Sequence, residues 1–332
     1  MKQIRYEAFG QPSRVARCVD VADVGPPSAW EVVVDVEAFP INVADLAMLA
    51  GRYGKLPTLP ATIGMEGVGR IVDRGAAVKE LNIGDRVVLL ANDNWSERRK
   101  LPVAAVHKVP VDADVNQLAM LKVNPTTAYI LLNNFVPLEV SDWIIQNAPL
   151  SSVGVCVIQI AKAKGIRTVN VVRRAQSIPQ VLELGGDIVI EDGPNLAERV
   201  EKAIRDEPIR LALDAVAGPG IQSLAECLAE GSKIVNYGML SGEACVIAPE
   251  QTIFRGITLV GFWLSKMLNR LSMAERKTLF DILSQMMVDG LLKIDIDSCY
   301  EIKDIGDAIR RAEQTQRSGK VIVRVSGHES KT

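Results

Sequence analysis

The stretch Asn147-Ala148-Pro149-Leu150-Ser151-Ser152-Val153-Gly154 follows an apolar run ending at Gln146 and opens a helical pattern carried by Ile158, Gln159 and Ala161 as far as Gly165. A helix that begins after such a turn aims unpaired backbone N–H groups and the positive end of its dipole forward, which suits a pyrophosphate. Ser151, Ser152, Val153 and Gly154 are the candidate phosphate-binding residues on that ground. The three-glycine fingerprint is incomplete: Gly154 alone remains where backbone must come close, and Ser151 and Ser152 stand where glycine or a similarly small residue is expected. A Cβ at Ser152 crowds a pyrophosphate, or its hydroxyl donates to one. An ordinary strand-turn-helix of an α/β protein would read the same way.

The next strand sharpens the reading. It ends Val171-Val172-Arg173-Arg174, about 20 residues past the turn, where a site for NAD carries Asp or Glu to hold the ribose hydroxyls. Guanidinium groups there suit a 2′-phosphate, which an acidic side chain would repel, so the cofactor expected is NADPH, held in part by Arg173 and Arg174. Two solvated arginines closing a strand remain the competing explanation.

These residues need a scaffold, and the chain is long enough for one. Its 332 residues, 48% hydrophobic and 23% charged, fit two packed domains. Residues 4–109 read as short, turn-punctuated strands, among them 31–36, 67–72 and 86–90. Between residues 121 and 292 strands alternate with helices, the form of a doubly wound parallel sheet, with strands expected at 142–146, 167–172, 187–190, 210–215, 233–237 and 258–262. A helix over 273–289 is followed by a strand in 294–325, a short helix at 305–315 and a last strand at 321–325, which return to the first domain. Residues 327–332 read as a polar tail.

Composition narrows the partners. A net charge of −2 without a dense Lys/Arg run excludes the electrostatic footprint of a nucleic-acid or acidic-membrane binder, leaving a small-molecule substrate. No apolar stretch approaches the roughly 20 residues needed to cross a bilayer. The N-terminus lacks the features of a targeting peptide, so a cytoplasmic location is the default expectation. The five cysteines, Cys18, Cys156, Cys227, Cys245 and Cys299, are scattered singly, which disfavours a disulfide scaffold or a zinc lobe. The two histidines, His107 and His328, sit in unrelated contexts and enter no mechanism.

In the first domain, Gly64-Met65-Glu66-Gly67-Val68-Gly69, Arg70-Ile71-Val72 and Gly84-Asp85-Arg86-Val87-Val88 resemble the medium-chain dehydrogenase/reductase superfamily. That family's zinc alcohol dehydrogenases have histidine where this chain has Met65 and a cysteine ligand in the stretch Asn42-Val43-Ala44-Asp45, so zinc-assisted alcohol oxidation is not expected. The stretches Pro40-Ile41-Asn42, Gly51-Arg52-Tyr53-Gly54, Val123-Asn124-Pro125, Ile145-Gln146-Asn147-Ala148, Asn170-Val171-Val172-Arg173, Tyr237-Gly238 and Gly261-Phe262-Trp263-Leu264-Ser265 resemble its mitochondrial-type 2-enoyl thioester reductases over nearly the whole chain. The resemblance implies an α/β fold: a Rossmann NADPH-binding domain over 121–292 and a β-rich GroES-like catalytic domain over 1–120 with 293–332. It implies Tyr53 as proton donor, and cofactor contacts from Asn124, Arg173, Tyr237, Gly238, Phe262, Trp263, Leu264 and Lys320, with Met239 beside Gly238. Asn42 and Trp95 are expected along the substrate cleft, although a solvent-shielding surface tryptophan reads the same. A homodimer through the edge of the nucleotide-binding sheet is implied as well.

The activity implied is hydride transfer to the β-carbon of a 2-enoyl thioester on CoA or acyl carrier protein, with Tyr53 answering the charge that gathers on the thioester oxygen. A quinone or small-enone reductase is the second enzyme reading. A non-catalytic nucleotide-binding or structural relative is the third, raised by the eroded glycine turn.

Overall fold

The computed structural model describes residues 1–314 and 317–325; the expected polar tail, with His328, and Thr315 lie outside them. The chain folds as two compact units, Met1–Val123 together with the chain from Met273 onward, and Asn124–Ser272.

The second unit carries six parallel strands in the spatial order Ile188–Glu191, Arg167–Val172, Trp143–Asn147, Ile209–Asp214, Lys233–Asn236 and Thr258–Gly261. In chain order this is third, second, first, fourth, fifth, sixth, the Rossmann arrangement, and the order reverses between Trp143–Asn147 and Ile209–Asp214. Each strand begins and ends within one residue of its expected place. The strands are apolar runs because the sheet is buried on both faces: Ile144 and Ile145 point to opposite sides and both are fully buried, as are Leu211 and Ala212.

In the first unit the long strand Glu31–Pro40 pairs antiparallel with Val68–Arg74, Arg98–Pro102 and Lys320–Arg324. A smaller sheet joins Arg17–Asp20, Lys2–Tyr6 and Ala61–Thr62. The pairing of Ile322 with Pro40 matters most, because it lays Lys320 alongside the residues that follow Glu31–Pro40. The helix Met273–Val288 belongs to this unit, whereas the sequence pattern grouped it with the nucleotide domain. Phe280 on that helix is fully buried with its ring 5.6 Å from that of His107, and Asp281 stands 3.2 Å from the His107 Nε2.

Candidate active site

In the second unit Ser151 caps the helix Ser152–Ala163, its Oγ accepting from the Gly154 N–H at 3.1 Å. Gly154 cannot carry a side chain: a Cβ there would fall 2.6 Å from the Ala148 carbonyl oxygen and 2.7 Å from the Pro149 Cα. The glycine that survives in the turn is thus the one that lets the helix close against the chain entering it. Ser152 and Val153 are half-buried at the helix start. Arg173 and Arg174 follow the strand Arg167–Val172, exposed, and neither guanidinium forms a hydrogen bond or ion pair among the described residues.

A polar network that sequence reading missed lies at the reversal of strand order. Asp214 Oδ1 accepts from Asn147 Nδ2 at 2.5 Å, Asp214 Oδ2 from Asn236 Nδ2 at 2.6 Å, and Asn147 Oδ1 from the Ala215 N–H at 2.8 Å. Asn236 Nδ2 also donates to the Gly238 carbonyl at 2.7 Å. The network ties together the ends of three neighbouring strands where an open parallel sheet of this kind binds ligands. The Tyr237 hydroxyl is buried; burial pushes its phenol up more than Ser151 beside it pulls it down. Met239 is largely exposed, whereas Phe262, Trp263 and Leu264 are half-buried and Asn124 is buried at the start of the helix Asn124–Asn133.

In the first unit four charged groups, Lys320, Glu66, Asp45 and Lys122, are buried near one another, two of them bonded to the Asn42 amide. Asn42 Oδ1 accepts from Lys320 Nζ at 2.6 Å, and Asn42 Nδ2 donates to Glu66 Oε1 at 2.7 Å. Glu66 Oε2 accepts from the Val123 N–H at 2.7 Å. Asp45 takes two backbone donors, the Asn42 N–H at 2.9 Å and the Met65 N–H at 3.0 Å. Lys122 Nζ donates to the Met65 carbonyl at 2.5 Å, the Ala91 carbonyl at 2.9 Å and Asn92 Oδ1 at 3.2 Å. Burial pushes Asp45 up to about 7 against the pull of its two N–H partners, and pushes Glu66 up as well. The same desolvation lowers Lys122 to about 8, opposed by Glu66 and Asp45. Lys320, expected at the cofactor, has its ammonium engaged with Asn42 inside this cluster.

Tyr53 lies half-buried in the irregular segment after the helix Val43–Leu49. Lys55, Leu56 and Pro57, just beyond it, border a recess of about 220 Å³ that reaches Asp45 and Met65. Trp95 is not on its wall: the indole is fully buried and stacks on Phe39, ring centroids 5.4 Å apart. This corrects both expectations for Trp95, as cleft wall and as surface shield. The reason lies at Gly64, whose φ of +116° and missing Cβ let the chain pass the indole; a Cβ there would sit 2.3 Å from the Trp95 Cδ1. Among the described residues no group of three or more His, Cys, Asp or Glu could hold a metal ion. Where the zinc enzymes carry a ligand, the Met65 backbone instead braces Asp45 and Lys122.

Residues 28–103 match the alcohol dehydrogenase GroES-like domain family and residues 152–284 the zinc-binding dehydrogenase family. Over 330 residues the chain is 33% identical to the mitochondrial enoyl-[acyl-carrier-protein] reductase of Dictyostelium discoideum, covering 97% of this chain and 94% of that protein. A putative NADPH:quinone reductase from Bacillus thuringiensis superposes with a TM-score of 0.90 at 27% identity, covering 97% of this chain and 98% of its own. An Etr1p/NADP/crotonyl-CoA complex superposes with a TM-score of 0.87 at 22% identity, covering 97% and 99%, a likeness of fold. The expected cytoplasmic location is overturned, because the Dictyostelium relative and those of rat and human are mitochondrial by name; that expectation rested only on the absence of recognisable targeting features. The chain belongs to the medium-chain dehydrogenase/reductase superfamily, in its enoyl thioester reductase branch, and is an oxidoreductase of that branch.

Proposed function

We propose that the chain reduces the 2,3 double bond of a 2-enoyl thioester, carried on CoA or acyl carrier protein, with NADPH as reductant. The observation that carries this reading is the similarity to an enoyl-[acyl-carrier-protein] reductase along 97% of the chain. Arg173 and Arg174, exposed and without partners among the described residues, support the 2′-phosphate of NADPH. Gly154 and the capped helix behind it support the pyrophosphate. NADPH supplies the hydride that reaches the β-carbon.

The chain's own residues then handle charge. As the β-carbon gains its hydride, negative charge spreads over the α-carbon and the thioester oxygen. Tyr53, a neutral phenol, hydrogen-bonds that oxygen and delivers a proton to the α-carbon. The Asn42–Lys320–Glu66 cluster acts at a distance, holding the strand ends in place, while Asp45 and Lys122 fix the Met65 backbone. The active species is a homodimer joined at the outer strand Thr258–Gly261, whose free edge offers unpaired backbone groups to a second copy; light scattering at micromolar concentration tests this.

One observation favours a second reading, reduction of quinones or small enones: the 27% identity to the Bacillus quinone reductase over almost the full length. Following NADPH oxidation with crotonyl-CoA, longer 2-enoyl-CoAs and a quinone in parallel separates the two. Turnover of the thioesters at least tenfold above the quinone in kcat/KM is expected, and the reverse ratio would overturn the first reading.

A further inference from the structure

We propose that two adjoining recesses of the first unit hold the phosphopantetheine arm shared by CoA and acyl carrier protein, with the Tyr6 hydroxyl donating to an amide carbonyl of that arm. The inference rests on the enoyl thioester reading above.

Tyr6 ends the strand Lys2–Tyr6 and is only 1% exposed, yet its hydroxyl has no hydrogen-bond partner among the described residues. Buried polar atoms are nearly always paired, so an orphan on the wall of a cavity marks a place where a ligand completes the bond. Tyr6 lines the recess of about 220 Å³. Its ring is fixed there by an edge-on contact with Phe9, centroids 6.0 Å apart. Burial, seconded by the charge of Asp93, holds the phenol up at about 12, so near neutral pH it is a donor. Asp93 lies on the wall of the same recess.

A second recess, of about 470 Å³, shares Pro57, Thr62 and Asp93 with the first and adds Arg5. Together they form a groove whose lining mixes polar groups with apolar ones such as Leu56, Pro57 and Ile63. A hydrocarbon tail laid in it would leave the Tyr6 hydroxyl unpaired and strip water from exposed Asp93, returning no hydrogen bond. The pantetheine arm has the complementary pattern: short methylene runs separated by two amides, each with one acceptor and one donor, and a phosphate at its far end. An amide carbonyl accepts from Tyr6, the amide N–H finds the Asp93 carboxylate, and Arg5 supplies a cation for the phosphate.

The test compares the unaltered chain with Tyr6→Phe on crotonyl-CoA, crotonyl-acyl carrier protein and S-ethyl crotonothioate, which has no amide. KM for the two carrier-bound substrates is expected to rise about three- to tenfold, the value of one neutral hydrogen bond, with kcat held and kcat/KM for the ethyl thioester unchanged. A loss confined to one carrier would overturn the proposal, because the arm is the same in both. Because the lost hydroxyl has no partner, the Tm of Tyr6→Phe should equal or exceed that of the unaltered chain. Equal effects on all three substrates, or none on any, would overturn the assignment. Turnover of none of them by the unaltered chain would sink the enoyl reading itself, and this inference with it.

Discussion

The Lys320 ammonium stands 2.6 Å from Asn42 Oδ1, and the other end of the same amide donates to Glu66 Oε1 at 2.7 Å. A buried cation and a buried carboxylate are thus joined through a neutral group that satisfies both. The last strand of the chain is bonded in this way to the loop that begins the helix Val43–Leu49 and to the Glu66 that follows Met65. Lys320→Met removes the ammonium that donates to the Asn42 carbonyl and a positive charge that favours the Glu66 carboxylate. Breaking a buried charge network of this kind typically costs about 3–5 kcal/mol. Urea unfolding should show a lower midpoint at unchanged slope; a loss below about 1 kcal/mol would mean the cluster is hydrated enough to do without its cation.

Tyr53→Phe keeps the ring and removes only the proton donor. For a 2-enoyl thioester, kcat should fall by about 10²- to 10⁴-fold, the usual worth of a positioned acid, while NADPH affinity stays within about twofold. Quinone reduction needs no carbon protonation and should survive. Unchanged thioester kcat would remove Tyr53 from the mechanism.

What could be read from the sequence divides along physical lines. The parallel sheet was legible because strands buried on both faces are predominantly apolar, as in Ile144-Ile145 and Val171-Val172, and the strand–helix alternation fixes their order. Asn147, Asp214 and Asn236 were illegible as a network, since a short polar residue ending a strand looks the same whether it faces water or two neighbours. Lys122 and Glu66 were silent as well, because nothing in a sequence marks a charged side chain for burial, and only tertiary pairing makes that burial tolerable. Trp95 failed for the opposite reason: it lies among polar and charged residues in sequence, and the space it fills exists only because Gly64 turns at positive φ.

Asp45 provides a test in pH. Its two carboxyl oxygens accept one backbone N–H each, whereas an amide has only one oxygen and turns an NH2 toward the other N–H. Asp45→Asn should therefore lose about 1–3 kcal/mol near pH 5. Burial raises the folded pKa from 3.8 to about 7, with Glu66 pushing the same way and Lys320 opposing. A raised pKa means that the folded state binds the proton more tightly, so the stability tied to Asp45 is full below 3.8 and is lost as pH rises through about 7. The gap between the two proteins should narrow from about pH 5 to pH 8. A gap that stayed constant would show that Asp45 is ionised throughout and held by its neighbours.

Arg173 and Arg174 bear on the cofactor. Neither guanidinium makes a hydrogen bond or ion pair among the described residues, so replacing them breaks no side-chain bond and reports on binding. A charge-assisted hydrogen bond is worth about 1.5–3 kcal/mol, so Arg173→Ala should raise the Kd for NADPH about ten- to a hundredfold and leave that for NADH within about threefold. Titration against intrinsic tryptophan fluorescence, with half-buried Trp263 as a reporter, gives both constants. Arg174→Ala separates a fork of two guanidiniums on one phosphate from a single contact: comparable losses mean a shared phosphate, and a loss at Arg173 alone leaves Arg174 in solvent. Raising the salt concentration should erode the NADPH preference in the unaltered chain and not in a variant carrying both Arg173→Ala and Arg174→Ala, because screening acts only where a cation remains to be screened. Equal Kd values for both cofactors in the unaltered chain would end the 2′-phosphate assignment, whatever the arginine variants did.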